Sequence, residues 1–133
     1  MSLLNFFKDF FSKYRLNDPT TKTVFDHYFF GSKYYLQKQA STEDFAPFLN
    51  LDKAQVDKIS LVYYGISFNT LINENRYKHF MNELEHPVNE NLTIDSMIKI
   101  SGFDDNESFV KYVKEKNRIT NNINIKYYDN VKD

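Results

Sequence analysis

The chain has 133 residues, a net charge of −1, and 13 Phe and 10 Tyr residues, which favour one domain with a modest aromatic core. It contains no Cys, which excludes disulfides, thiol catalysis and Cys-based zinc or iron–sulfur sites. No apolar run approaches the ~18 residues that a bilayer span needs, and no segment resembles a signal peptide, so we expect a soluble, cytoplasmic protein.

The first predicted element is an amphipathic helix over residues 2–15, and its apolar face contains Leu3, Leu4, Phe7, Phe11 and Tyr14. A second helix is predicted over residues 21–38, with a break favoured at the Gly-Ser pair 31–32. Residues 1–38 thus form an N-terminal helical extension. For the aromatic helix over residues 2–15 there are three hypotheses. It packs on the rest of the chain, it mediates dimerisation or docking on a protein partner, or it lies on a membrane surface. We expect the membrane role least.

Two short helices with capping signals follow. Ser41 begins a capping-box-like S-T-E-D segment for a helix through Leu49, in which Pro47 is expected to introduce a kink. Asp52 and Gln55 form a second capping pattern, which opens a helix to about Tyr63. Gly65 is the expected end of this helix.

The longest predicted helix covers residues 67–84 and is followed by a loop. Thr93 then caps a helix to about residue 100, and Gly102 forms the turn to the next helix. For that helix, which is predicted to reach about residue 116, Asp104 and Glu107 are expected to form a capping box. A last, weaker helix is predicted over residues 120–128, where an Asn run favours turns.

The pattern of short helix, turn and capped second helix occurs twice, over residues 41–63 and 93–116. This is the layout of a helix-turn-helix, whose second helix enters the DNA major groove. The helix over residues 67–84 would be ~27 Å long at 1.5 Å per residue. A connector of this length could place the two recognition helices near the ~34 Å separation of successive major grooves.

The same residues resemble the DNA-binding domain of AraC/XylS-type transcriptional regulators over about residues 33–120. In the second unit the resemblance rests on L-T-I at 92–94, I-S-G-F at 100–103 and S-F at 108–109. Between the units it rests on Gly65, Phe68, Ile72, Asn73 and Arg76, and in the first unit on Phe45, Ala46, Leu49, Val56 and Ile59. The resemblance implies an all-α, bilobed domain over residues 39–128 that binds DNA sequence-specifically and controls transcription.

Several positions depart from that family's pattern, and the first unit departs more than the second. Ser60 and Leu61 stand where the family has an apolar and then a polar residue. Phe80 and Ile98 replace small residues, which requires neighbouring side chains to repack. At the entry to the last helix, Arg118 and Asn121 stand where the family has Gly and Pro.

The resemblance also names candidate DNA-contacting side chains on the two recognition helices. They are Lys53, Gln55 and Lys58 in the first unit, and Asn106, Ser108, Lys111 and Lys114 in the second. The amides of Gln55 and Asn106 have the donor and acceptor that adenine requires. Glu107 could accept from cytosine, although a capping role is favoured. Arg76 either reaches a phosphate or, as favoured here, forms an ion pair that holds the two units together.

The leading prediction is a DNA-binding transcriptional regulator without enzymatic activity, cofactor or metal. No catalytic motif occurs, and the three His residues lack partners at metal-ligand spacing. The alternative is a protein-interaction module on a degenerate double helix-turn-helix scaffold. Residues 40–133 hold eleven Lys and Arg against fifteen Asp and Glu, which favours the alternative because DNA affinity depends on phosphate neutralisation.

Overall fold

The computed structural model describes residues 19–86 and 91–131, with side chains up to Arg118, and no strand occurs within these ranges. The fold class predicted from the sequence, all-α, is confirmed. The described helices are α1 (Pro19–Asp26), α2 (Thr42–Phe45), α3 (Lys53–Tyr64), α4 (Phe68–Glu85), α5 (Ile94–Ile100) and α6 (Asn106–Val131). The predicted helix over residues 2–15 lies outside the described residues. None of the described helices has the length and apolar character that crossing a membrane requires.

The helix predicted over residues 21–38 is shorter and less regular than expected. The α-helix ends at Asp26 and continues as a π-helical turn, His27–Gly31. Lys33 then adopts a left-handed conformation, with φ +52°, and a 3₁₀ turn follows at Tyr34–Leu36. The predicted break at residues 31–32 is therefore confirmed, while helix beyond it is limited to a single turn.

A first core, built mainly from aromatic rings, lies between α1, α2, α3 and the first half of α4. The rings of Phe45 and Phe68 stack at 4.9 Å, and Phe25 meets Phe45 edge-on at 5.2 Å. Val56 and Ile59 from α3 complete this core and are fully buried. Burial of such large side chains supplies the main stabilisation of a small helical domain.

Local capping sets where the middle helices begin and end, as predicted. The Ser41 side chain accepts from the backbone N–H of Asp44, and Pro47 lies in a 3₁₀ turn, Ala46–Leu49, that follows α2. Asp52 and Gln55 form a complete capping box at the start of α3. Gly65 ends α3 in the left-handed region, with φ +74°.

Helix α4 is shared between two cores. Its first half contributes Phe68, Leu71 and Ile72 to the first core. Its second half contributes Phe80 to a second core with Met97, Ile98 and Phe103. The ring of Phe80 lies 4.5 Å from that of Phe109 on α6, which explains how the chain accommodates a large residue at this position.

The two cores meet where α4 passes the turn between α5 and α6. Arg76 is 7% exposed and donates from Nε to the carbonyl oxygen of Tyr35 at 2.6 Å, and from Nη2 to that of Gln37 at 2.8 Å. Its guanidinium also lies 5.9 Å from the ring centre of Phe103 in the second core. Arg76 therefore links the cores as expected, but its partners are carbonyl groups and not the predicted ion pair.

Two predictions about the last helix are wrong. Asp105 and not Asp104 caps α6, because its Oδ1 accepts from the backbone N–H of Ser108 at 2.7 Å, so Glu107 is not part of a capping box. Helix α6 also runs without interruption from Asn106 to Val131, where a stop near residue 116 and a separate helix over 120–128 were predicted. Because residues 106–131 contain neither Gly nor Pro, nothing in the backbone forces a break.

Candidate nucleic-acid interface

Of the candidate DNA-contacting side chains on α3, Gln55 already makes a hydrogen bond within the protein. The Oε1 atom of Gln55 accepts from the backbone N–H of Asp52 at 2.9 Å as half of the capping box. A two-bond contact to adenine uses both the amide oxygen and the amide nitrogen of Gln. Gln55 can therefore read adenine in that way only if this half of the capping box opens, whereas its Nε2 remains available as a donor.

The two lysines on α3 differ in their surroundings. Lys53 pairs with Glu43 of α2, with 2.9 Å between Nζ and Oε1, and both side chains are exposed. Such an exposed pair contributes little to stability, so a phosphate could displace Glu43 at small cost. Lys58 is exposed and has no ion-pair or hydrogen-bond partner among the described residues. Asp57 next to it accepts from the backbone N–H of Phe68, the first residue of α4, whose N-cap is Ser67.

The exposed end of α3 carries two apolar side chains that sequence reasoning did not select. Leu61 is 53% exposed and Val62 is 54% exposed, whereas Ser60 before them is fully buried and donates to the carbonyl oxygen of Ile66 at 2.7 Å. The sequence signal for this exposed apolar pair was the polar-then-apolar order of Ser60 and Leu61, which reverses the order in the family that the chain resembles. It reflects a polar residue turned inward and an apolar residue turned outward.

On α6, the candidate residues of the first turn are also engaged. Asn106 donates from Nδ2 to Oδ1 of Asp95 on α5 at 2.7 Å. The backbone N–H of Ser108 is the donor to the capping Asp105. To recognise adenine, Asn106 would therefore have to break its hydrogen bond to Asp95 and form one to the base.

Further along α6, the basic side chains face solvent. Lys111 and Lys114 are exposed, and no partner for either occurs among the described residues. Glu115 beside them is neutralised by Arg118, which donates to both of its oxygens, at 2.6 and 3.3 Å. The second and third turns of α6 therefore carry two lysines that no neighbouring carboxylate pairs with in the described part of the chain.

Carboxylates surround the start of α6. A concave surface of about 400 Å³ between α5 and α6 is lined by Asp95, Asp104, Asp105 and Glu107, with Lys99 as its one basic side chain. The hydrogen bond from the Ser108 backbone lowers the pKa of Asp105, so this carboxylate is charged at neutral pH. A phosphate would be repelled here and attracted near Lys111 and Lys114.

The three histidines belong to no cluster of potential metal ligands in the described part of the chain. Within residues 19–86 and 91–118, no group of three or more His, Asp or Glu side chains converges as metal ligands would. His79 contacts Ser101, with 3.0 Å between Nδ1 and Oγ, and lies 3.9 Å from Glu83. Ser101 is fully buried, whereas the His79 side chain is 18% exposed.

No protein-family model matches the chain, and neither the curated proteins nor the solved structures include a match. Membership of the AraC/XylS family therefore stays a prediction that rests on the residues named above.

Proposed function

We propose that the chain is a DNA-binding protein of the double helix-turn-helix kind, in which α6 provides most of the affinity. The proposal rests on one architectural observation: a single helix, α4, is built into two separate cores, and each core holds one capped helix that follows a short helix and a turn. The pair α2–α3 would be the first unit and α5–α6 the second. Such a protein would control transcription in the cytoplasm through binding and not catalysis.

The distribution of available charge supports the ranking of the two units. In α6, Lys111 and Lys114 are exposed without an intramolecular partner in the described structure. The first unit, residues 41–63, holds four carboxylates and two lysines, and the second, residues 93–116, holds five carboxylates and four lysines. In the first unit Lys53 is already paired with Glu43. Phosphate contacts by Lys supply most non-specific DNA affinity, so α6 is better suited to approach the duplex.

The acidic first turn of α6 limits how the helix could dock. Asp105 and Glu107 flank Asn106, and no lysine lies in that turn. A helix with this charge pattern would contact phosphates from its second and third turns. Base contacts would then come from Asn106 only where the Asp95 bond is exchanged for one to a base.

Direct DNA titration tests this function. The protein would be titrated with mixed genomic DNA fragments at two salt concentrations, about 50 and 200 mM, and the affinity should fall steeply at the higher one. Absence of binding at the lower concentration would reject DNA binding.

A protein-interaction module is the second candidate, favoured by the exposed Leu61 and Val62 on α3. An exposed apolar pair on a helix typically fits an apolar groove of a protein partner better than a phosphate backbone. The Leu61→Lys variant separates the two functions. If the chain binds DNA through α3 as well as α6, the added charge strengthens DNA binding; a module without DNA affinity gives no binding before or after the change.

A further inference from the structure

A groove of about 390 Å³ lies between the connector helix α4 and the helix α6. Its walls include Asn73 and Arg76 from α4, and Lys111 and Tyr112 from α6. The volume is in the range of small-molecule sites. The groove adjoins the acidic surface at the start of α6 and shares Asp104 with it, but the rest of that surface lies on the side of α5.

Arg76 reaches this groove as a buried cation whose donors are only partly used. Nε and Nη2 donate to backbone carbonyls, at 2.6 and 2.8 Å, and Nη1 has no partner in the described part of the chain. No carboxylate of the described residues lies within ion-pair distance of the guanidinium. Buried charges are normally paired, so the open side of Arg76 is suited to an anion.

Lys111 provides a second cation on the opposite wall. It is exposed and has no described partner. Glu115 also lines the groove, but its carboxylate is paired with Arg118 at 2.6 Å. Asp104 also lines the groove and offsets part of the charge of Arg76, so a bound anion depends on Lys111 as the second cation. The Asn73 amide adds a neutral donor, and the ring of Tyr112 adds an apolar wall.

We propose that this groove binds one phosphate group, with Nη1 of Arg76 and Nζ of Lys111 as its charged donors. Arg suits phosphate because its planar N–H groups match the oxygens, and Lys supplies a point charge. The phosphate comes either from a DNA backbone that passes along α6 or from a phosphorylated small molecule. The site does not require the chain to bind DNA.

Isothermal calorimetry of the protein titrated with inorganic phosphate tests the site. The ionic strength is kept constant, with chloride as the balancing anion. Lys111→Gln is the main variant, because an exposed side chain can be replaced without disturbing the fold, and it should weaken phosphate binding about tenfold. Lys78→Gln is the matched control: Lys78 is an exposed lysine on α4 and does not line the groove. Absence of phosphate binding, or equal weakening by both variants, would overturn the proposal.

A short mixed-sequence duplex distinguishes the two sources of phosphate. Duplex binding that Lys111→Gln weakens and phosphate inhibits identifies a DNA backbone contact. Phosphate binding of equal strength with and without bound duplex identifies a small-molecule site. If the duplex binds regardless of Lys111 and phosphate does not bind, the phosphate site is rejected while DNA binding stands. If phosphate binds and the duplex does not, DNA binding is rejected while the phosphate site stands.

Discussion

Gly102 occupies a position that leaves no space for a side chain. It has φ +97°, and a Cβ built there would lie 2.5 Å from the carbonyl oxygen of Tyr35 and 2.8 Å from Nε of Arg76. The turn between α5 and α6 therefore packs directly on the segment that follows α1, through the same carbonyl group that Arg76 binds. This contact fixes the second core against the first.

The Gly102→Ala variant should be strongly destabilised. The left-handed backbone costs an L-residue about 1–2 kcal/mol, and forcing an extra methyl group into a packed site costs about 1–3 kcal/mol. We therefore expect a loss of about 2–5 kcal/mol in the free energy of unfolding, measured by urea titration monitored by circular dichroism.

Gly65→Ala is the control for backbone strain alone. Gly65 also has a positive φ, +74°, but a Cβ there would meet nothing within 4 Å. We expect it to cost only about 1–2 kcal/mol. Equal losses in the two variants would show that close packing at Gly102 is not the reason for its glycine.

His79 makes the stability of the second core depend on pH. Ser101 donates its hydroxyl hydrogen to the carbonyl oxygen of Met97 at 2.7 Å, which leaves its oxygen available as an acceptor in the 3.0 Å contact with Nδ1 of His79. Burial lowers the pKa of His79 below its ordinary 6.5. Glu83 opposes this effect, and Lys33 adds a smaller lowering effect. The folded state therefore favours neutral His79.

Acid should destabilise the protein through this residue. The unfolded chain binds a proton at His79 at a higher pH than the folded chain does, so this contribution to stability is present above the unfolded pKa and is lost as the pH falls through the folded pKa. Urea midpoints at pH about 7.5 and about 5.5 would measure the loss, and His79→Gln should reduce it. An unchanged difference between the two midpoints in the variant would contradict the assignment.

At the scale of elements, the sequence predicted helix starts better than helix ends. Ser41, Asp52 and Thr93 cap the helices that their patterns indicated, because capping depends on a side chain and a backbone N–H only three residues apart. The choice between Asp104 and Asp105 depends on more distant contacts. The ring of Phe109 packs on Phe80 and Phe103, at 4.5 and 5.2 Å, and so fixes which face of α6 points inward.

Other features of the elements could not be read from local pattern. The π-helical turn at His27–Gly31 coincides with the burial of Phe29 beside Phe25, whose rings stack at 5.7 Å. That packing depends on Phe45 and Phe68, which lie far along the chain. The continuation of α6 past residue 116, by contrast, was readable from the sequence, because residues 106–131 contain neither Gly nor Pro. The Asn run near its end lowers helix propensity without breaking the helix.

Variants at the start of α6 test the corrected cap. Asp105→Ala removes the acceptor of the Ser108 backbone N–H and should lower the thermal unfolding midpoint by a few degrees. Asp104→Ala, one residue earlier, should change the midpoint less, since no hydrogen bond to Asp104 occurs among the described residues. A larger effect from Asp104→Ala would support the capping box that the sequence suggested.

At the scale of the whole molecule, two cores are connected by one helix and one buried arginine. Apolar periodicity was enough to predict the shared connector, because Phe68, Leu71, Ile72 and Phe80 fall at helical spacing. The intramolecular hydrogen bonds of the candidate DNA-contacting side chains could not be predicted from apolar periodicity. Gln55 and Asn106 were correctly placed at helix starts, but their bonds to Asp52 and Asp95 depend on the relative positions of backbone and neighbouring helix.

The charge balance of the whole chain and the charge near α6 lead to different expectations. The net charge of −1 argues against strong non-specific DNA binding. Lys111 and Lys114, however, are exposed without described partners in consecutive turns, whereas four carboxylates gather around the start of the helix. Local segregation of charge is therefore the property on which DNA binding by this molecule depends.

The salt dependence of DNA binding in the Lys111→Ala, Lys114→Ala double variant tests that central claim most directly. Each phosphate contact contributes about 0.9 to the slope of log affinity against log salt, so the double variant should reduce the slope of the unmodified protein by about 2. Lys53→Ala with Lys58→Ala should reduce it less, and Lys78→Ala should leave it unchanged. An unchanged slope in the Lys111–Lys114 variant, or no measurable DNA binding by the unmodified protein, would contradict the account.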